Sequence, residues 1–172
     1  MQPIASHAAP LTGGRSHRIV AELTRRGERD DGVIVAYGSR YYGYVLYVQD
    51  GRLVYEVALA PRVHRLEATA PLPTGRCTVQ FEMAMTGRPI RGIGRLSVDG
   101  RLLAERAFDE VMVGVPYDGL DIGADRNVPV STRYPAPFEF RGELHKVTFH
   151  VDVSPPTSEE VKANARLIQM MS

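Results

Sequence analysis

The sequence predicts an all-β sandwich, and three observations carry that prediction. Two Asp-Gly pairs, Asp50-Gly51 and Asp99-Gly100, lie between β-rich runs. A two-residue hairpin needs positive φ at both central positions, which Asp-Gly tolerates well. Side chains alternate apolar and polar in short runs parted by Gly and Pro, the period of strands and not of helices. Only Thr157 to Met171 carries helical features: Thr157 or Ser158 as N-cap, Glu159 and Glu160 in the first turn, and a thin apolar stripe of Val161, Ala165 and Ile168.

Taken in order, residues 1–14 are rich in Pro, Ala and Gly and read as a flexible lead-in. In the first strand His17, Ile19, Ala21 and Leu23 share one face. Arg25 to Asp31 reads as an exposed turn, and Val33 to Tyr37 as a nearly continuous apolar strand. The Asp50-Gly51 turn pairs Gln49 with Arg52, Val48 with Leu53, Tyr47 with Val54 and Leu46 with Tyr55. Tyr44, Leu46, Val48, Leu53, Tyr55 and Val57 then face the core. Val45, Tyr47, Val54 and Glu56 form a second face, expected to be the open, concave side of a sheet.

Pro61 to Pro73 reads as a broken edge segment and Thr78 to Ala84 as a strand with Val79, Phe81 and Met83 inward. Thr86 to Gly94 is an expected loop, and Arg95 to Glu105 the second hairpin. Val111 to Val115 and Leu120 to Gly123 are expected as short strands. Asn127 to Phe140, with Pro129, Pro135 and Pro137, is a long irregular loop of the kind that often carries function. In the last strand, Glu143 to Val153, Leu144 is out of phase with Val147, Phe149 and Val151, which predicts a β-bulge. The expected division is a lead-in (1–14), one sandwich (15–153) and a helical tail (154–172).

Composition excludes several classes. The net charge is +1, without the basic excess of a nucleic-acid binder, and the 21 basic residues are all arginine except Lys146 and Lys162. No run reaches transmembrane length. Cys77 is the single cysteine, so no internal disulfide forms, and no secretory signal opens the chain. The expectation is a soluble cytoplasmic protein with neither a nucleic-acid nor a membrane partner.

Several blocks resemble a known family. GGRSHRIVAEL, DGVIVAYGSRYYGYVLYVQDGRLVYEV, PLPTGRCTVQFEM, SVDGRLLAE and DIGADRNVPVSTRYPAPFEFRGELHKVTFHV follow one another as in the C-terminal domain of bacterial arylsulfatases. The resemblance spans roughly Gly13 to Val153. It implies a concanavalin A-like (laminin-G-like) jelly roll, some of whose members bind calcium. A sulfatase also needs a Cys or Ser in a C-x-P-x-R motif, and here Cys77 precedes Thr78, Val79, Gln80 and Phe81. The chain therefore resembles the accessory domain without the enzyme.

Candidate site residues follow from the second sheet face and the loops. Arg40, Tyr41, Tyr42, Val45, Tyr47, Val54 and Glu56 are the expected ligand-binding set, since aromatic faces beside a guanidinium suit stacking on a sugar or another ring. Glu56, Tyr47 and His64 are the candidates for acid–base chemistry. The alternative for Glu56 is a structural pair with one of the many arginines. His145 reads as a core histidine. Asp118, Asp121 and Asp125 make an oxygen-rich loop whose spacing does not match the EF-hand pattern; a plain turn with Asx caps and no metal is the expected reading, with calcium as the alternative. No glycine run followed by a helix suggests a phosphate-binding cofactor. The expected function is a jelly-roll module that binds a small-molecule or carbohydrate ligand or a protein partner, including another copy of itself. The alternative is a small enzyme of cyclase or isomerase type.

Overall fold

The computed structural model describes residues 4–87 and 90–152, together with 162, 165, 166, 169 and 170. Ten strands run in chain order: β1 His17–Arg25, β2 Gly32–Gly38, β3 Tyr42–Gln49, β4 Arg52–Leu59, β5 Arg62–Glu67, β6 Gly75–Thr86, β7 Arg91–Val98, β8 Arg101–Phe108, β9 Leu120–Ile122 and β10 Glu143–Val151. They form two antiparallel five-stranded sheets, ordered β10-β1-β6-β7-β8 and β5-β4-β3-β2-β9. The expected β-sandwich is what the chain adopts.

Both Asp-Gly pairs make the predicted turns, with φ of 52° and 74° at Asp50 and Gly51 and 48° and 80° at Asp99 and Gly100. The first turn is held from below: the Asp31 carboxylate accepts the backbone N–H groups of Asp50 (2.8 Å) and Gly51 (3.1 Å). The register of the β3–β4 hairpin is the predicted one, with Tyr47 opposite Val54 and Val45 opposite Glu56.

The main core lies between the sheets. Ile19, Ala21 and Leu23 meet Leu46, Val48, Leu53, Tyr55 and Val57 there, with Val79, Phe81, Met83 and Leu96. Its centre is aromatic: the Tyr55 and Phe81 rings stack at 3.6 Å between centroids, and Phe108 meets Tyr55 edge-on at 6.0 Å.

Several expectations are corrected by packing. β7 begins at Arg91, inside the expected 86–94 loop, because Thr86 and Met85 continue the ladder against Arg91 and Gly92. Gly92 and Gly94 lie in that strand, opposite Met85 and Met83, and are glycine there because neighbouring side chains fill the space a Cβ would need. A Cβ there would lie 2.3 Å from the Met83 sulfur or 2.6 Å from the Phe108 ring. Val111 to Val115 is not a strand; the N–H groups of Val113 and Gly114 donate to the Tyr42 hydroxyl instead of to a neighbouring strand. Arg25 is not in an exposed turn but 2% exposed, its guanidinium donating to the carbonyls of Glu28, Asp30 and Leu72.

The expected bulge is present, since Glu22 pairs with Lys146 and Leu23 with Leu144. The extra residue is His145, which the bulge turns outward to Thr24 Oγ1 at 2.7 Å, so it is not a core histidine. Of the expected lead-in, residues 4–14 lie against the sandwich: Ile4 bridges to Leu120, and Ala9 and Thr12 are buried. Lys162, Ala165, Arg166, Gln169 and Met170 are helical, and the rest of the expected tail helix lies outside the described residues.

The largest correction concerns the second face of β2, β3 and β4. The Pro-rich segment 127–140 crosses it as a strap, and the Val33 N–H donates to the Phe138 carbonyl at 3.1 Å. Val45, Tyr47, Val54 and Ala58 pack under Val130, Tyr134 and Phe138 as a second, smaller core. A mixed apolar strand face is satisfied equally by solvent or by a covering loop. Here the chain supplies its own cover.

Candidate functional site

Beneath the strap, two tyrosine–carboxylate pairs face each other. The Tyr47 hydroxyl donates to Glu56 Oε2 at 2.9 Å, and Tyr134 donates to Asp125 Oδ2 at 2.6 Å. The two phenol rings meet edge-on at 5.2 Å. Glu56 Oε1 lies 3.8 Å from Arg133 Nε, the arginine partner that the sequence offered as its alternative role. Burial, then the Glu56 charge, pushes the Tyr47 hydroxyl well above the usual phenol range. These groups are aimed at one another and not at a cavity. Val45, Tyr47, Val54 and Glu56 thus form no open ligand face.

The three aspartates behave similarly. Asp118, Asp121 and Asp125 line one hollow of only about 10 Å³. Asp121 is engaged by the backbone N–H and guanidinium of Arg126, while Asp125 accepts the Val130 N–H at 2.8 Å besides Tyr134. Among the described residues, no group of three or more His, Cys, Asp or Glu side chains is placed to hold a metal ion. Asp125 anchors the strap through Val130 and Tyr134, and Asp121 holds Arg126 just before it, while Asp118 takes no part in either.

Burial raises the Asp125 carboxyl above its ordinary 3.8, with the Tyr134 and Val130 bonds opposing the shift. A raised folded-state pKa means that ionisation costs stability: the fold is favoured below the ordinary value and loses that advantage as pH rises through the raised one. Asp125→Asn keeps a carbonyl acceptor without the charge. The difference in Tm, variant minus wild type, is expected to grow as pH rises upward from about 4. A constant or shrinking difference in a thermal-melt series contradicts this.

The roomiest of several open concavities is at a corner of the sandwich, where edge strand β5 of one sheet approaches edge strand β8 of the other. It is a cleft of about 660 Å³ whose walls include Tyr41, Tyr42, Leu59, Arg62, Ile90, Asp109, Glu110 and Val111. The β2–β3 connection places its aromatic wall. Gly38 has φ of 90°, and a Cβ there would lie 2.2 Å from the Tyr42 carbonyl, so the tight reversal requires glycine. That reversal projects Tyr41 outward, 60% exposed, and turns Tyr42 back so that its hydroxyl accepts from Val113 and Gly114. Arg40 lies outside the cleft lining, 5.2 Å over the Tyr41 ring, and donates to its hydroxyl at 3.1 Å.

The polar wall comes from β5 and the segment after β8. Arg62 and His64 are two apart on β5 and so share a face. Both reach Glu110: Arg62 Nε is 2.7 Å from Oε2, Arg62 Nη2 is 2.6 Å from Oε1, and His64 Nε2 is 2.7 Å from Oε2. The Arg62 bond, then that of His64, holds the Glu110 carboxyl below the usual carboxylate range.

The sequence-selected residues therefore fall into two places. Tyr41 and Tyr42 line the cleft, Arg40 and His64 stand outside its lining on Tyr41 and Glu110, and Val45, Tyr47, Val54 and Glu56 lie under the strap. Arg62, Asp109 and Glu110 were not selected. The alternation of Arg62 and His64 was readable in the sequence; the approach of Glu110, 46 residues beyond His64, was not.

No protein-family model matches the sequence, and no curated protein matches it. Solved structures do, with low identity. Mouse laminin alpha1 chain domains LG4-5 superpose with TM-score 0.61 at 15% identity, covering 90% of this chain and 41% of that one. The LG1-3 region of the laminin alpha2 chain gives 0.59 at 15%, covering 82% and 29%. The CBM40 domain of the Ruminococcus gnavus IT-sialidase, bound to alpha2,3 sialyllactose, gives 0.55 at 13%, covering 88% and 82%. The chain thus spans less than half the length of the two laminin structures. The fold is a concanavalin A-like, laminin-G-like jelly-roll sandwich, the class to which the sequence blocks pointed.

Proposed function

We propose that this chain is a carbohydrate-binding module whose ligand lies in the corner cleft, against Tyr41. The observation that carries the reading is the pairing of an exposed tyrosine ring with Arg62, Asp109 and Glu110 around one concave space. A saccharide presents apolar C–H faces for an aromatic ring and hydroxyls for charged, planar side chains. Pockets that work this way combine apolar walls with a few placed polar groups. The sialyllactose-bound CBM40 domain supports the reading only as a sandwich of the same fold put to that use. The resemblance to the arylsulfatase C-terminal domain fits an accessory, non-catalytic role.

Calorimetric titration with a panel of neutral and charged oligosaccharides tests the proposal. Tyr41→Ala is expected to weaken binding by about 2 kcal/mol, roughly thirtyfold in Kd. Tyr117→Ala is the control, since Tyr117 is 99% exposed but does not line the cleft. Equal binding by Tyr41→Ala, or loss in Tyr117→Ala, contradicts the assignment.

A further inference from the structure

We infer that Glu110 sets the ligand class of the cleft: saccharides without negative charge are accepted, and carboxylated or sulfated ones are rejected. This rests on the carbohydrate reading of the cleft and goes beyond it by naming the class and the residue that selects it.

An acidic sugar needs a cation to receive it. Among the described residues Arg62 is the arginine that lines the cleft, and its guanidinium is engaged by Glu110 through two contacts, at 2.7 and 2.6 Å. Such a two-point pair matches the guanidinium fork to both carboxylate oxygens and leaves little of its charge for a third group. His64 donates into the same carboxylate from behind. Asp109, exposed on the cleft wall, adds a second negative charge. Arg62, Asp109 and Glu110 together carry a net charge of −1. Arg40 stands outside the lining, attached to the Tyr41 hydroxyl.

An incoming carboxylate or sulfate can therefore reach only the outer guanidinium N–H groups of Arg62, where it lies against the carboxylates of Glu110 and Asp109. A sugar hydroxyl has neither difficulty, because it can donate to either carboxylate and accept from the outer guanidinium N–H groups. Specificity here comes from a carboxylate the protein places against the wrong ligand as well as from attraction to the right one. Glu110 is a specificity-determining residue in this account.

The test titrates one neutral trisaccharide, its sialylated counterpart and its sulfated counterpart into the wild type, Glu110→Gln and Asp109→Asn. The wild type is expected to bind the neutral sugar at least tenfold tighter than either anionic one. Glu110→Gln, which frees Arg62, is expected to shift that ratio toward the anionic sugars by at least tenfold. Asp109→Asn leaves the Arg62–Glu110 pair intact and is expected to shift it severalfold in the same direction. Thermal melts confirm that each variant is folded. A wild type that prefers the anionic sugars, or a ratio unmoved in both variants, overturns the inference while leaving the carbohydrate reading in place. Failure of every sugar to bind overturns both.

Discussion

Tyr134→Ala is expected to destabilise the fold by about 3–5 kcal/mol, the usual cost of removing a buried aromatic ring. Tyr134 is 4% exposed, stacks on Phe138 at 4.7 Å and meets Tyr47 edge-on. Its loss removes the ring by which the strap packs on Tyr47 and deprives the buried Asp125 carboxylate of its shortest hydrogen bond. The same change uncovers Tyr47 and Val54, so the variant should also bind a hydrophobic dye in its native state. Tyr134→Phe separates the two effects. It keeps the ring and loses the hydroxyl, for about 1.5–3 kcal/mol, the range for a hydrogen bond to a charged group. Urea denaturation of both variants checks this. A loss below about 1 kcal/mol for Tyr134→Ala shows that the strap is not a second core.

Phe81→Ala is expected to cost a similar amount, about 3–5 kcal/mol, for a different reason. Phe81 is fully buried on β6 and stacks on Tyr55 of the opposite sheet, so it joins the two layers at their centre. Gly94 on the neighbouring strand has no side chain to collapse into the space. A Cβ on Gly94 would lie 3.3 Å from the Phe81 ring, so the glycine leaves room for that ring. Phe81→Leu, which refills part of the volume, should recover more than half of the loss. If Phe81→Ala changes the urea midpoint no more than an exposed substitution does, the sheets are not held together at this stack.

These two residues also mark what the sequence could and could not disclose. Phe81 was readable as core because it alternates with Val79 and Met83, and alternation is a local property of a strand. The Asp-Gly turns and the β3–β4 register were local in the same sense. Tyr134 was not readable as core. It sits in a Pro-rich stretch with no periodicity, and its burial depends on where the stretch lands, a matter of contacts with Tyr47 and Asp125. The error over the Tyr47 face has the same origin: a strand pattern shows which side chains share a face but not what covers it. At the cleft, the tight β2–β3 reversal exposing Tyr41 lies within one short segment, Gly38 to Tyr42. The Arg62–Glu110–His64 cluster joins an edge strand to a loop far along the chain, so no spacing announced it.

Ligand in the proposed corner cleft is distinguished from ligand on the face under the strap by backbone and side-chain NMR shifts during titration with a neutral oligosaccharide. Saturable shifts are expected at Tyr41, Arg62 and Glu110, with Tyr47, Glu56 and Tyr134 unmoved. Shifts centred on Tyr47, Glu56 and Tyr134, with the cleft residues silent, would contradict binding in the cleft.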